Sequence, residues 1–188
     1  GEIVLIRNHE LIPTDDAGGD IAKGFGTHNG KIVPGGTTNI VLDAKTLEVK
    51  RQFRTLGGTI RNCSGGVTPW GSWLTCEEAP TGPGQRYGDG LAVNHGWTFE
   101  IPANATGLVE PAPLRAMGRF NHEAACVDPE TGFVYQTEDR NDGVLYRFLP
   151  KTPGKLADGG RLQAMVIEGL SDTRNWDSAA MPLRQSYT

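Results

Sequence analysis

The stretch Gly71-Ser72-Trp73-Leu74-Thr75-Cys76-Glu77-Glu78 alternates like a strand and ends on a thiol and two carboxylates. Ionised carboxylates are almost never buried unless something positive pairs with them, so this corner is poor core material. Oxygen donors suit hard cations such as calcium, and a thiolate suits a transition metal. A mixed set therefore implies two kinds of metal, or a cysteine that only packs. The same chemistry returns 61 residues later, where Thr137-Glu138-Asp139 closes the run that begins at Gly132.

Further acids fall at comparable places. Glu10 and Glu123 follow histidines in the triplets Asn8-His9-Glu10 and Asn121-His122-Glu123. Carboxylates converging from several strand ends repel one another, and a bound cation or a proton relieves the repulsion. The candidate ligands are Glu10, Cys76, Glu77, Glu123 and Glu138. Beside each triplet acid, His9 or His122 can orient a ligand through its second nitrogen. Glu78 and Asp139 are candidates for the same supporting role.

These residues need elements to position them, and the chain supplies a repeat. Gly58 to Pro69 aligns with Gly118 to Pro129 at an offset of 60, matching Gly58 to Gly118, Val67 to Val127 and Pro69 to Pro129. The alignment sets Asn62 on His122 and Cys63 on Glu123. One inserted residue after the prolines then sets Glu77 on Glu138 and Glu78 on Asp139. Each unit reads as strand, tight turn, strand and acidic corner. Third strands follow at 39–43, 97–101 and 144–148. Fourth strands follow at 48–53 and 162–167, with a poor match at 114–120. The opening 3–10 reads as the second strand of an earlier copy.

About four strands per unit at this period predicts a β-propeller, whose blades stack around a channel. The fold expected is all-β, with about two full blades and one partial blade. Residues 1–188 are then part of a single propeller domain, incomplete at both ends, because a closed ring needs at least four blades.

Composition agrees and narrows the function. Gly 26 and Pro 12 in 188 residues imply many turns, and no long helical periodicity is present. A net charge of −4 with no basic run excludes a nucleic-acid partner. No apolar run reaches the length of a membrane span, and no signal peptide is visible. Cys63, Cys76 and Cys126 do not form a disulfide framework. Cys63 and Cys126 either pair or are small buried thiols. The loops 15–20 and 81–90 are polar and Gly-rich, and Asp15, Asp16 and Asp20 lack calcium-loop spacing. Trp70 and Trp73 read as blade packing. No serine-hydrolase, zincin or P-loop motif is present.

Several segments together resemble the PhoX-type alkaline phosphatase family: Arg7-Asn8-His9-Glu10, Arg61-Asn62-Cys63-Ser64-Gly65-Gly66, Thr68-Pro69-Trp70-Gly71 running on to Cys76-Glu77-Glu78, Asn121-His122-Glu123-Ala124 and Thr137-Glu138-Asp139. The resemblance implies a propeller phosphomonoesterase, a monomer exported to the periplasm or beyond, using ferric iron and calcium on small phosphate esters. Carried over by residue, it makes Cys76 the iron-bound thiolate and Glu10, Glu77 and Glu123 metal-binding carboxylates, with Glu138 and Asp139 an acidic corner. Further ligands lie in C-terminal segments without counterparts here, so the piece is expected to be inactive alone. The alternatives are a non-enzymatic calcium-binding propeller, with Cys76 packing, and a metal-free interaction module.

Overall fold

The computed structural model describes residues 1–170 and 172. Its strands are β1 (Glu2–His9), β2 (Thr27–His28), β3 (Lys31–Ile32), β4 (Gly35–Asp43), β5 (Val49–Thr59), β6 (Asn62–Val67), β7 (Ser72–Glu77), β8 (Thr98–Pro102), β9 (His122–Val127), β10 (Val134–Glu138), β11 (Tyr146–Pro150) and β12 (Gly160–Ala164). The pairing is antiparallel and mostly sequential, in sheets β1-β4-β5, β6-β7-β8 and β9-β10-β11-β12, with β2-β3 a separate small ribbon. Short antiparallel sheets in succession, not closed into a barrel, are blades of a partial propeller.

The repeat is real at the level of strands. β6 and β9 lie 60 residues apart over their whole lengths, and each turns back tightly into the next strand. In the first turn Thr68 N–H donates to Ser72 O at 2.9 Å, and Gly71 takes the left-handed conformation at φ 81°. In the second, Gly132 at φ 72° donates to Asp128 O at 2.8 Å. Only glycine holds such a φ without steric cost.

The expected fourth strand at 114–120 is absent. A single 310 turn, Arg115–Met117, stands there instead. Pro113 makes an isolated bridge to Phe99 of β8, but Pro111 and Pro113 lack the N–H groups that would carry it into a ladder, so the middle blade has three strands.

Apolar layers hold the blades together. Leu74, Cys76, Met117, Ala125, Val127, Val134, Phe148 and Leu156 form the core between the second and third blades. Leu56, Trp97, Phe99 and Ile101, with Ile6 and Phe25 against them, fill the layer between the first and second. Each fully buried Leu or Phe contributes about 1.5–3 kcal/mol. A polar latch joins the first two blades. Asn8 donates from Nδ2 to Ser64 O (2.8 Å) and accepts from Trp73 Nε1 (3.0 Å) and Thr75 Oγ1 (2.9 Å).

The innermost strands β6 and β9 approach very closely. A Cβ on Gly66 would stand 1.8 Å from Ala125 O, so only glycine fits. This approach sets the mouth of the site.

Candidate metal centre

Both inner strands carry a bulge in the same place. Between β6 and β7, Asn62 pairs with Glu77 and Gly65 with Thr75, so Cys63 and Ser64 share the space opposite Cys76. Between β9 and β10, His122 pairs with Glu138 and Ala125 with Gln136, so Glu123 and Ala124 share the space opposite Thr137. An extra residue bends its strand and re-aims a side chain out of the ladder. The side chains re-aimed are Cys63 and Glu123, the pair that the 60-residue offset sets on each other.

They meet Glu78, the first residue past β7. Single ligand atoms of Cys63, Glu78 and Glu123 all lie within 4.8 Å of one another, and this is the group of metal-type donors among the described residues. Cys63 Sγ donates to His122 O at 3.1 Å, which ties the two bulges together. Asn121 Nδ2 donates to Glu78 O at 2.8 Å, and Asp139 N–H to Asn121 O at 3.0 Å. The Asp139 carboxyl thereby comes against that of Glu78. Arg61 Nη2 donates to Glu78 Oε2 at 2.6 Å and reaches Glu10 Oε1 at 3.5 Å.

The electrostatics call for a cation. Burial pushes the Glu78 carboxyl above its ordinary range, and Asp139 and Glu123 push it further against the opposing pull of Arg61. Burial, then the charge of Glu123, pushes the Cys63 thiol well above its usual value. Without added positive charge the thiol keeps its proton. One soft donor beside hard carboxylates is a donor set that suits a transition metal.

The other expected ligands lie elsewhere. Cys76 is fully buried in the apolar layer, its thiol pushed up to about 12 by burial, with Thr98 Oγ1 at 4.0 Å. It packs, because strand alternation turns it inward where the bulge turns Cys63 out. Glu77 is also fully buried and satisfied within its own blade. Its Oε1 accepts from Ile60 N (2.9 Å) and His95 Nδ1 (2.7 Å), and its Oε2 from Gly96 N (2.8 Å) and Trp97 N (3.0 Å). Glu138 is half-buried, and its Oε2 accepts from Val144 N and Tyr146 OH, each at 3.2 Å.

The histidines do not face the cluster. His9 Nε2 pairs with Thr38 Oγ1 at 2.7 Å, and burial, with Arg54 and Arg7 nearby, lowers its pKa to about 4. His122 is buried between Gly118 O and Thr98 Oγ1, stacked on Phe120, and burial lowers its pKa to about 4. It supports the site through its carbonyl. Cys63, half-buried, and Cys126, exposed, are both free thiols. Asp15 and Asp16 cap their own loop through Ile12 N–H and Gly18 N–H. Trp70 and Trp73 pack in the blades, their indoles donating to Glu100 and Asn8.

Cys63 and Arg61 are the site residues that motif reading passed over. The signal for Cys63 was present, since the repeat aligns it with a candidate ligand.

A family model for alkaline phosphatase PhoX matches residues 35–185. The chain belongs to the PhoX family. Among solved structures it is similar to Pseudomonas fluorescens PhoX in complex with vanadate, a transition state analogue. The TM-score is 0.56 at 19% identity, over 87% of this chain and 42% of that one. The likeness is one of fold, and the chain spans less than half the length of that protein. No curated protein matches the chain.

Proposed function

We propose that this chain carries part of the active site of a metal-dependent phosphomonoester hydrolase. In this reading Cys63, Glu78 and Glu123 hold iron, while Asp139 and Glu10 contribute to neighbouring calcium. The observation that carries it is the paired bulge, which brings a thiol and a carboxylate from two repeats to one point beside Glu78. A thiol in the cluster favours iron there over a site for calcium alone. The family's own description and the vanadate complex of the fold neighbour support phosphoryl transfer as the chemistry.

Metal ions bound at these residues would neutralise the charge of the phosphoryl oxygens and supply a nucleophile at ordinary pH. The chain's own residues prepare the place. Cys63 would give up its proton on ligating a metal, which would couple metal uptake to proton release. Asn121 and the backbone of Arg61 fix the Glu78 corner, Arg61 O accepting Glu78 N–H at 3.0 Å. The tight β6–β9 approach keeps the donors together before any ion arrives, which lowers the reorganisation needed on binding.

The three blades are read as part of one propeller domain, acting on small phosphate esters as an exported monomer. Millimolar extracellular calcium suits carboxylate sites of this kind. Among the described residues no helix is long and apolar enough to cross a membrane. Cell fractionation and size-exclusion chromatography test location and oligomeric state. For the activity, the full-length protein containing these residues, loaded with iron and calcium, should hydrolyse p-nitrophenyl phosphate and lose that activity on chelation. A fully loaded full-length protein that leaves the ester intact refutes the proposal.

A further inference from the structure

Arg61 is where the repeat breaks its own symmetry. Its counterpart 60 residues on is Asn121, and both carbonyls accept the N–H of a corner acid, Glu78 and Asp139 respectively. Asn121 keeps an ordinary backbone, whereas Arg61 is left-handed at φ 45°. That conformation is unfavourable for any side chain with a Cβ and persists only where surrounding bonds enforce it. Here Arg61 N–H donates to Leu11 O at 2.8 Å while its carbonyl holds Glu78.

The result is a guanidinium placed against the metal cluster with most of its donors unused. Nη2 alone makes both contacts, to Glu78 and Glu10. Among the described residues Nε and Nη1 have no protein acceptor, and the side chain is 40% exposed. A guanidinium carries five N–H donors in a planar fork that matches phosphate oxygens. A cation taking Glu78 as a ligand would also weaken the one strong contact that Arg61 has.

We propose that Arg61 binds the phosphoryl group directly, its free fork donating to oxygens of a phosphate monoester or of the inorganic phosphate product. This rests on the phosphatase reading of the same cluster. Lysine would supply the charge without the fork.

The test measures inorganic phosphate binding by calorimetry, and iron and calcium content by elemental analysis, on the loaded full-length protein and its Arg61→Gln and Arg61→Lys variants. The expected result is unchanged metal content, with phosphate affinity about ten- to a hundredfold weaker in Arg61→Gln and partly recovered in Arg61→Lys, as loss of hydrogen bonds to a charged group implies. Phosphate affinity within twofold of wild type, metal retained, overturns the proposal. So does loss of metal in Arg61→Gln that Arg61→Lys restores, which makes Arg61 only a counter-ion for Glu78. A measurement on wild type needs no variant to fold. Phosphate should protect Arg61 from phenylglyoxal, read by mass spectrometry, and equal modification with and without phosphate also overturns it. Loaded wild type that binds no phosphate at all refutes the phosphatase reading itself, and this proposal with it.

Discussion

Glu77 and Glu78 are neighbours with opposite duties, and one isosteric substitution at each separates them. Glu77→Gln keeps the shape but turns one carboxylate oxygen into an amide NH2. Each oxygen of Glu77 accepts two buried N–H groups. With the NH2 toward Gly96 and Trp97, two donors lose their acceptor; turned toward Ile60 and His95, only Ile60 N–H does, because His95 can switch tautomer and accept at Nδ1. Hydrogen bonds to a charged group are worth about 1.5–3 kcal/mol each, so the better orientation should cost about 1.5–3 kcal/mol. With a urea dependence of about 2 kcal/mol per molar, the unfolding midpoint falls by roughly 1 M. Glu78→Gln should move it little, because the Arg61 pair it loses is offset by relief from Asp139 and Glu123. Its effect belongs on metal content, which should drop. The assay is urea unfolding by fluorescence, with elemental analysis of the folded protein. If Glu77→Gln costs under about 1 kcal/mol and strips the metal, Glu77 is a ligand and the assignment of roles is reversed.

Cys63→Ser should lose iron while Cys76→Ala keeps it and costs only stability, by elemental analysis and thermal unfolding; the reverse pattern refutes the bulge assignment. Gly66→Ala should separate β6 from β9, since its Cβ meets Ala125 O at 1.8 Å, and metal affinity and stability should fall together in titration and melting experiments. His9, with its folded pKa lowered to about 4 from 6.5, binds fewer protons folded than unfolded between those values. Its contribution is therefore present above about pH 6.5 and lost as pH falls towards 4, a slope that NMR titration and pH-dependent unfolding should find and that His9→Asn should reduce by about half, since His122 carries the same shift.

The strand order and the acidic corners were legible because they repeat. An offset of 60 with matched Gly, Val and Pro located β6, β7, β9 and β10 before any pairing was known. The choice between Cys63 and Cys76 was not legible, because a bulge is a property of two strands. Asn62 to Gly65 reads as plain strand until its register against β7 shows the extra residue. The partners of Glu77 were hidden for a related reason. His95 and Gly96 arrive from the end of a long loop, and nothing local in sequence ties them to residue 77. The fourth strand of the middle blade was over-read, because the pairing beside β8 stops at a single bridge from Pro113 to Phe99 and the chain turns into the 310 turn Arg115–Met117.

The corners share one device, and it explains why two titratable residues stand side by side in each blade. Read as the second strand of an earlier copy of the repeat, β1 corresponds to β7 and β10, which sets His9-Glu10, Glu77-Glu78 and Glu138-Asp139 on one position of the unit. The first member turns into its own blade and is satisfied there, by Thr38, by four N–H donors, or by Val144 and Tyr146. The second member is left at the mouth, where Glu10, Glu78 and Asp139 gather around Arg61 and the two bulge residues. Gathering acids this way costs stability, since each raises the free energy of ionising the next. The inner members help to hold the corners rigid against that repulsion. A corner that could relax would let the acids spread into solvent and disperse the excess negative charge. In the proposed reading, relief of that repulsion on binding a multivalent cation is part of the affinity. Substitutions at first members should act on folding, and substitutions at second members on metal, in every blade of this kind.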